Sequence, residues 1–273
     1  MALEPLHVPS LLRQYGIQPQ KSLGQNFLAD HHALLKIVRE AEVSASDRVL
    51  EIGAGLGSLT RLLCTHAAHV TAVEIDDRLY PALEAVLRPF DNLRLVKGDI
   101  LDIPPRELFS EDGYLVVANI PYYITSAVIR HLLEAAVRPR RMVLTMQREV
   151  AERILNQAEK MSLLSLSVQV YGQARIVSHI PAACFYPQPQ VDSSVLVIDV
   201  YDQPALSDEE MRLMFNLAHA AFNQKRKMLR NSLKPVLGEA LMAVLDRAGI
   251  DPRQRPEALT VEDWVRLGKE ADS

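Results

Sequence analysis

Only two cysteines, Cys64 and Cys184, occur in the 273 residues, far apart and outside any CxxC spacing. That excludes a disulfide framework and leaves no structural zinc pattern, so both are expected as reduced thiols. The eight histidines, the adjacent His31 and His32 included, show no ligand spacing, and no metal is expected. No apolar run is long enough to span a bilayer, and Pro5, Pro9, Arg13 and Gln14 interrupt the opening stretch. A soluble, cytoplasmic protein is expected. Internal repeats and low-complexity tracts are also missing. Nor is there an excess of positive charge: 30 Lys+Arg against 34 Asp+Glu give a formal net charge of -4. Any binding of nucleic acid must therefore be local. What the chain does have is apolar material, 48% of its residues, enough for one large domain and a small one.

From Arg48 onward short apolar runs alternate with helix-length stretches. Val49 to Ile52, Val70 to Ile75, Leu93 to Val96, Leu115 to Ala118 and Met142 to Met146 read as strands. The alternation predicts an α/β fold, a Rossmann-like, mostly parallel sheet with helices on its faces. Ser165 to Tyr171, Ala174 to Ile180 and Ser194 to Tyr201 follow without a long helical pattern between them, and predict an antiparallel end to the sheet. Past the turn-rich Asp202-Gln203-Pro204, Met211, Phe215, Leu217 and Phe222 fall at helical spacing. Residues 203–273 are expected to form a small all-helical domain, 47–202 the catalytic domain, and 1–46 an extension in which Asp30 caps a helix.

The strand Val49-Leu50-Glu51-Ile52 runs into Gly53-Ala54-Gly55-Leu56-Gly57 and then into a helical stretch. Strand, glycine turn and helix make a nucleotide-cofactor site, because glycine lets the backbone approach the ligand. A dinucleotide fingerprint wants GxGxxG; this loop is GxGxG with Ser58 at the last position and Glu51 ahead of it. That form resembles an S-adenosylmethionine loop. Glu74 ends the next strand, placed to accept from the ribose hydroxyls of an adenosine cofactor. Asp99 follows the third strand, placed to reach the cofactor adenine amine, although capping a turn would explain it too. Ligands of open parallel sheets bind at this edge.

The fourth strand delivers Asn119-Ile120-Pro121-Tyr122 to the same edge. An adenine N6 lone pair is delocalised into the ring, so methyl transfer to it requires orientation toward the donor. The Asn119 side-chain oxygen and the Ile120 carbonyl can receive the two amine hydrogens, and the Tyr122 ring can stack on the base. Pro121, between Ile120 and Tyr122, belongs to the same candidate site. Phe185, at the head of the proline-stiffened Phe185 to Ser194 stretch, is the candidate ring opposing Tyr122, with core packing as its alternative. Two basic clusters stand out. Lys225, Arg226, Lys227, Arg230 and Lys234 form one, and Arg138, Arg140, Arg141, Arg148 and Arg153 the other. A solvated helix face accounts for each as well as RNA binding does.

With those segments in view the chain resembles the bacterial branch of the ribosomal RNA adenine dimethyltransferase family over nearly its whole length. The resemblance rests on Lys21-Ser22-Leu23-Gly24-Gln25-Asn26-Phe27-Leu28, the Glu51 to Gly57 loop, Asn119 to Tyr122, Phe185 to Ser194, Phe222 to Leu233, and Arg255-Pro256-Glu257. It implies transfer of two methyl groups to N6 of each of two adjacent adenosines near the 3′ end of 16S ribosomal RNA, in an assembling small subunit. It also implies cofactor contacts by Asn26, Leu28, Gly53, Glu74, Asp99 and Asn119, with Gly55 in the same loop, and phosphate contacts by Lys225, Arg226, Lys227 and Arg230. A monomer is expected. Ile120 stands where many members have leucine; since the residue lends its carbonyl, the change is expected to be neutral.

Three other readings compete. A NAD-dependent oxidoreductase leaves Asn119 to Tyr122 unexplained. A noncatalytic assembly or nucleic-acid-binding relative has no need of an intact Asn119, Pro121 and Tyr122. A 23S ribosomal RNA adenine methyltransferase of the antibiotic-resistance type is the nearest rival, and the Lys21 to Leu28 and Lys225 to Leu233 segments stand against it.

Overall fold

A computed structural model describes residues 3–155, 161–224 and 226–272. In chain order the elements are α1 (Val8–Gln14), β1 (Phe27–Leu28), α2 (His31–Glu40), β2 (Arg48–Ile52), α3 (Ser58–Cys64), β3 (His69–Glu74), α4 (Tyr80–Leu87) and β4 (Leu93–Lys97). Next come α5 (Pro105–Leu108), β5 (Tyr114–Asn119), α6 (Thr125–Leu133), β6 (Pro139–Gln147), α7 (Arg148–Leu155) and α8 (Leu163–Tyr171). The chain closes with β7 (Gly172–Ile180), β8 (Phe185–Tyr186), β9 (Ser193–Val200), α9 (Asp208–Phe222), α10 (Leu229–Ser232), α11 (Lys234–Leu237), α12 (Leu241–Arg247) and α13 (Val261–Asp272).

A seven-stranded sheet has the order β4-β3-β2-β5-β6-β9-β7. From β4 to β6 neighbouring strands are parallel, and β9 joins β6 antiparallel with Val143 opposite Val197. The expected α/β sheet with an antiparallel end is thus the observed one. β2 and β5 are almost continuously buried, as strands covered on both faces must be, whereas β4 at the sheet edge is only half-buried. The chain starts the sheet at β2, moves outward through β3 and β4, then returns to lay β5 on the other side of β2. That reversal opens a crevice beyond the C-terminal ends of β2 and β5. Leu34 and Ile37 of α2 and Leu59, Leu62 and Leu63 of α3 pack with Val49, Val117 and Val143 of the strands. The Asp30 side chain accepts from the Ala33 N–H at 2.8 Å and starts α2, as its position before the periodic stretch predicts.

Contacts divide the chain into two compact units. The larger is Met1–Ala151 with Ala174–Val200, and the smaller is Glu152–Gln173 with Tyr201–Ser273. The smaller unit therefore includes a stretch that the sequence reading assigns to residues 47–202. Within that stretch the structure departs from the expected strand: Ser165 to Tyr171 belongs to the helix α8. Ser162 caps it by accepting from the Ser165 N–H, and the Ser167 hydroxyl donates back to the Leu163 carbonyl. Leu164, Leu166, Val168 and Val170 are all buried, and so are Ser165 and Ser167, so α8 has no exposed polar face to mark a helical period. It packs against α9 and α13. Ser207 and Glu210 close a capping box on α9, and Gly268 lets α13 approach closely, since a Cβ there would lie 3.1 Å from the Glu210 carbonyl oxygen. Among the described residues no helix is long and apolar enough to cross a membrane.

Candidate active site

A cleft with about 1070 Å3 of empty space, its open mouth included, is lined by the loops that follow β2, β3, β4 and β5. Asn26, Leu28, Gly53, Gly55, Glu74, Asp99, Asn119, Ile120, Pro121, Tyr122 and Phe185 all line it. The cofactor and target-base candidates therefore share one space. Gly53 and Gly55 adopt φ of 75° and 60°, in the left-handed region that a side chain disfavours. A Cβ on Gly55 would also come within 3.1 Å of the Phe27 ring.

The charge of the lining separates the cofactor alternatives. Glu51, Glu74 and Asp99 line the cleft, and among the described residues no lysine or arginine does. A pyrophosphate would meet the acidic groups of Glu74 and Asp99, whereas a sulfonium and an ammonium find complementary charge there. Glu51 is 1% exposed, and its Oε2 has no hydrogen-bond partner. Burial pushes the Glu51 carboxyl up to about 8; nearby Glu74 adds to the rise and Thr60 opposes it. Glu74 Oε2 accepts from the Gly55 N–H at 2.8 Å and Oε1 from the Asp76 N–H at 2.9 Å. Burial raises its pKa while these amides lower it. Each oxygen keeps a lone pair for a ribose hydroxyl. Asp99 accepts from the Leu101 N–H at 3.0 Å while lining the cleft, so it caps a turn and faces the ligand space together.

At the end of β5 the Asn119 Nδ2 donates to the Asn26 carbonyl at 3.1 Å, which turns its oxygen into the group left to accept. The Pro121 carbonyl is taken by the Ile124 N–H at 3.2 Å, so the loop carbonyl to be offered is that of Ile120. Tyr122 is fixed by a 2.8 Å hydrogen bond between its hydroxyl and Ser193 Oγ, a fully buried side chain at the start of β9. Burial raises the Tyr122 pKa, so its ring stays neutral. Phe185, 4% exposed, belongs to the core with Leu28 and Leu34, as its packing alternative expects, and also lines the cleft.

The Lys21 to Leu28 segment reaches the site by two anchors. β1 and β8 form a two-stranded ribbon that sets Leu28 opposite Phe185. Gln25 Nε2 donates to Asp76 Oδ2 at 2.7 Å, the Gln25 Oε1 accepts from the Gln20 N–H, and Arg78 Nε donates to Asp76 Oδ1 at 2.9 Å. The Arg78 guanidinium chiefly, with Gln25, holds the Asp76 carboxyl below the usual carboxylate range. Neither Asp76 nor Ser193 emerges from sequence reasoning, because no spacing rule links them to their partners.

Of the basic candidates, Arg226, Lys227 and Arg230 are exposed in the smaller unit, and Lys225 lies outside the described residues. In the other cluster Arg140 pairs with Asp47 at 2.8 Å and Arg141 with Glu42 and Asp199. Structural ion pairs account for those two. Burial pushes the Cys64 thiol up to about 12, leaving it an inert core group, and among the described residues no cluster could hold a metal ion.

Comparison with known proteins agrees with this geometry. The family described as ribosomal RNA adenine dimethylase matches residues 16–273. A ribosomal RNA small subunit methyltransferase A from Dehalococcoides mccartyi is 41% identical over 270 residues, covering 95% of this chain and 93% of that protein. A dimethyladenosine transferase from Plasmodium falciparum is similar in structure with a TM-score of 0.75 at 26% identity, covering 88% of this chain and 95% of its own. The 23S rRNA methyltransferase ErmE follows with a TM-score of 0.70 at 28% identity, covering 91% of this chain and all of its own.

Proposed function

This chain belongs to the ribosomal RNA adenine dimethylase family, and from that premise we propose that it dimethylates N6 of two adjacent adenosines in the 3′-terminal hairpin of 16S ribosomal RNA, within small ribosomal subunits. It is an S-adenosylmethionine-dependent ribosomal RNA adenine dimethyltransferase. The observation that carries the reading is the joint placement of the Asn119 side chain and an anionic, lysine-free and arginine-free lining around one cleft. When bound, S-adenosylmethionine supplies a methyl already activated by the sulfonium.

The chain's own residues then do the positioning. Gly53 and Gly55 give the donor a close backbone approach, Glu74 takes ribose hydroxyls, Asp99 takes the adenine amine, and Asn26 and Leu28 close the wall. Asn119 Oδ1 and the Ile120 carbonyl accept the two hydrogens of the target amine, favouring a pyramidal nitrogen whose lone pair faces the methyl. Tyr122 and Phe185 hold the base between them, which suits an extruded or unpaired adenosine. No side-chain base is needed, because the methylated amine loses its extra proton to water. Arg226, Lys227 and Arg230, with Lys225, contact phosphates, an interaction that weakens with salt. The protein works as a monomer in the cytoplasm.

Mass spectrometry of digested RNA, after incubating unmodified small subunits with the protein and S-adenosylmethionine, decides the matter. Dimethyladenosine at two adjacent 16S positions is expected. Its absence, or its appearance in 23S ribosomal RNA, would sink the assignment.

A further inference from the structure

We propose that Tyr123 is a stacking platform for the nucleobase beside the target adenosine, so that the active-site loop grips two successive bases and not one. The assignment rests on the reading of the cleft as an RNA adenine site. Tyr123 follows directly on the Asn119 to Tyr122 loop and lines the same cleft. Yet its environment is opposite to that of Tyr122. Tyr122 is half-buried and tied through its hydroxyl to Ser193, while Tyr123 is 61% exposed, more than Tyr186, Ile75 or any other large exposed hydrophobic of the described residues.

An exposed tyrosine is not unusual by itself. This one lines the cleft beside Gly24. Gly24 adopts φ of 61°, and a Cβ there would lie 3.3 Å from the Pro121 Cβ, 3.4 Å from the Tyr123 Cδ1 and 3.5 Å from its Cε1. One ring edge therefore lies beside the position that the missing Gly24 side chain would fill, and most of the residue is exposed. The same segment is pinned to Asp76 by Gln25 and to Asn119 by the Asn26 carbonyl, so the support under the ring is tied down on both sides.

The chemistry of the substrate supplies the occupant. Drawing one base into the cleft unstacks its neighbour and leaves that base's face to water. An aromatic ring presented at the mouth recovers the stacking without reading base edges, because every base has a π-face. Here the neighbour is the second target adenosine, so the platform would hold the base that is modified next. The stacking needs the ring and not its hydroxyl.

Steady-state methylation of unmodified small subunits tests this with Tyr123→Ala and Tyr123→Phe, alongside calorimetric titration of each variant with S-adenosylmethionine alone. Tyr123→Ala is expected to raise KM for the subunit about tenfold, within the range of one lost base–aromatic stack, and to leave cofactor Kd within twofold of the wild type. Tyr123→Phe is expected to recover most of the loss. An unchanged KM in Tyr123→Ala, or failure of Tyr123→Phe to recover, would overturn the platform. A rise in cofactor Kd matching the rise in KM would also overturn it, placing Tyr123 on the donor side. If the wild-type protein produces no dimethyladenosine, the RNA reading itself fails and takes the platform with it.

Discussion

Asn119 donates its side-chain amide to the main-chain carbonyl of Asn26, 93 positions earlier in the chain, at 3.1 Å. The bond decides which end of a planar amide faces the substrate. With nitrogen committed to Asn26, oxygen is the end left for a donor in the cleft, which we propose is the target amine. We predict that Asn119→Ala lowers kcat by about 100-fold or more, the scale of losing one oriented hydrogen-bonding group at a reacting centre, while cofactor Kd rises less than tenfold. Single-turnover rates and calorimetry separate the two effects. Ordinary turnover in this variant would show that another group orients the nitrogen.

Release of the Lys21 to Leu28 segment should be a defect of a different kind. Asp76→Ala removes the acceptor shared by Gln25 and Arg78. Arg78 is 42% exposed, so solvent screening limits its share, and the loss is expected at about 1 to 2 kcal/mol. That corresponds to a rise of about five- to thirtyfold in S-adenosylmethionine Kd, with faster amide exchange across Gln20 to Asn26. Unaltered exchange there would mean the ribbon of Phe27 and Leu28 holds the segment alone.

The pH dependence of the ligand-free protein should carry the signature of Glu51. Its carboxyl titrates at about 8 in the fold against 4.5 for a free group. Between those values the native state holds a proton that the unfolded chain has released, so stability falls as pH rises through the window and levels off above it. Glu51→Gln removes this slope, and its Tm at pH 8 is expected to exceed that of the wild type by a few degrees. The same carboxyl makes binding of a cationic cofactor tighten from pH 6 toward pH 8 in the wild type, and less so in Glu51→Gln. Parallel thermal melts and titrations across that range would show curves of equal slope if Glu51 is not the group responsible.

Ser193 holds the Tyr122 hydroxyl, and on the proposed stacking of Tyr122 against the target base its loss should reach the substrate. Ser193→Ala and Tyr122→Phe each remove one side of the 2.8 Å hydrogen bond, and each is expected to lower kcat/KM by about three- to tenfold, the range of one neutral hydrogen bond. The double variant should be hardly worse than either single one. Additive losses would show that the two residues work independently.

The parts of this site that were legible in the sequence are those where secondary structure itself forces the placement. Glu51 to Gly57, Glu74, Asp99 and Asn119 each follow an apolar strand, and parallel strands deliver their C-terminal ends to one edge whatever the packing details. Asn26 and Leu28 came only from family resemblance, since a residue that contributes a carbonyl or a buried methyl leaves no chemical mark in the sequence. Gln25 and Asp76 are 51 positions apart, and nothing short of the folded chain brings them together. The α8 stretch reads as a strand for the reason that buried helices do: Leu164 to Tyr171 is buried except for a half-buried Gln169, so its β-compatible residues show no exposed polar face. The polar residues Ser162, Ser165 and Ser167, which cap and close it, are its helical mark.

The carboxylates around the cleft also bear on turnover after the chemistry is done. Each methyl transfer strips one positive charge from the donor, while Glu74 and Asp99 stay where they are. Attraction that favours the charged molecule is then partly withdrawn from the spent one. An enzyme that adds methyl groups in succession to one RNA must exchange its cofactor between additions, and a wall of this sign discriminates fresh donor from by-product at every exchange, easing product inhibition without any moving part.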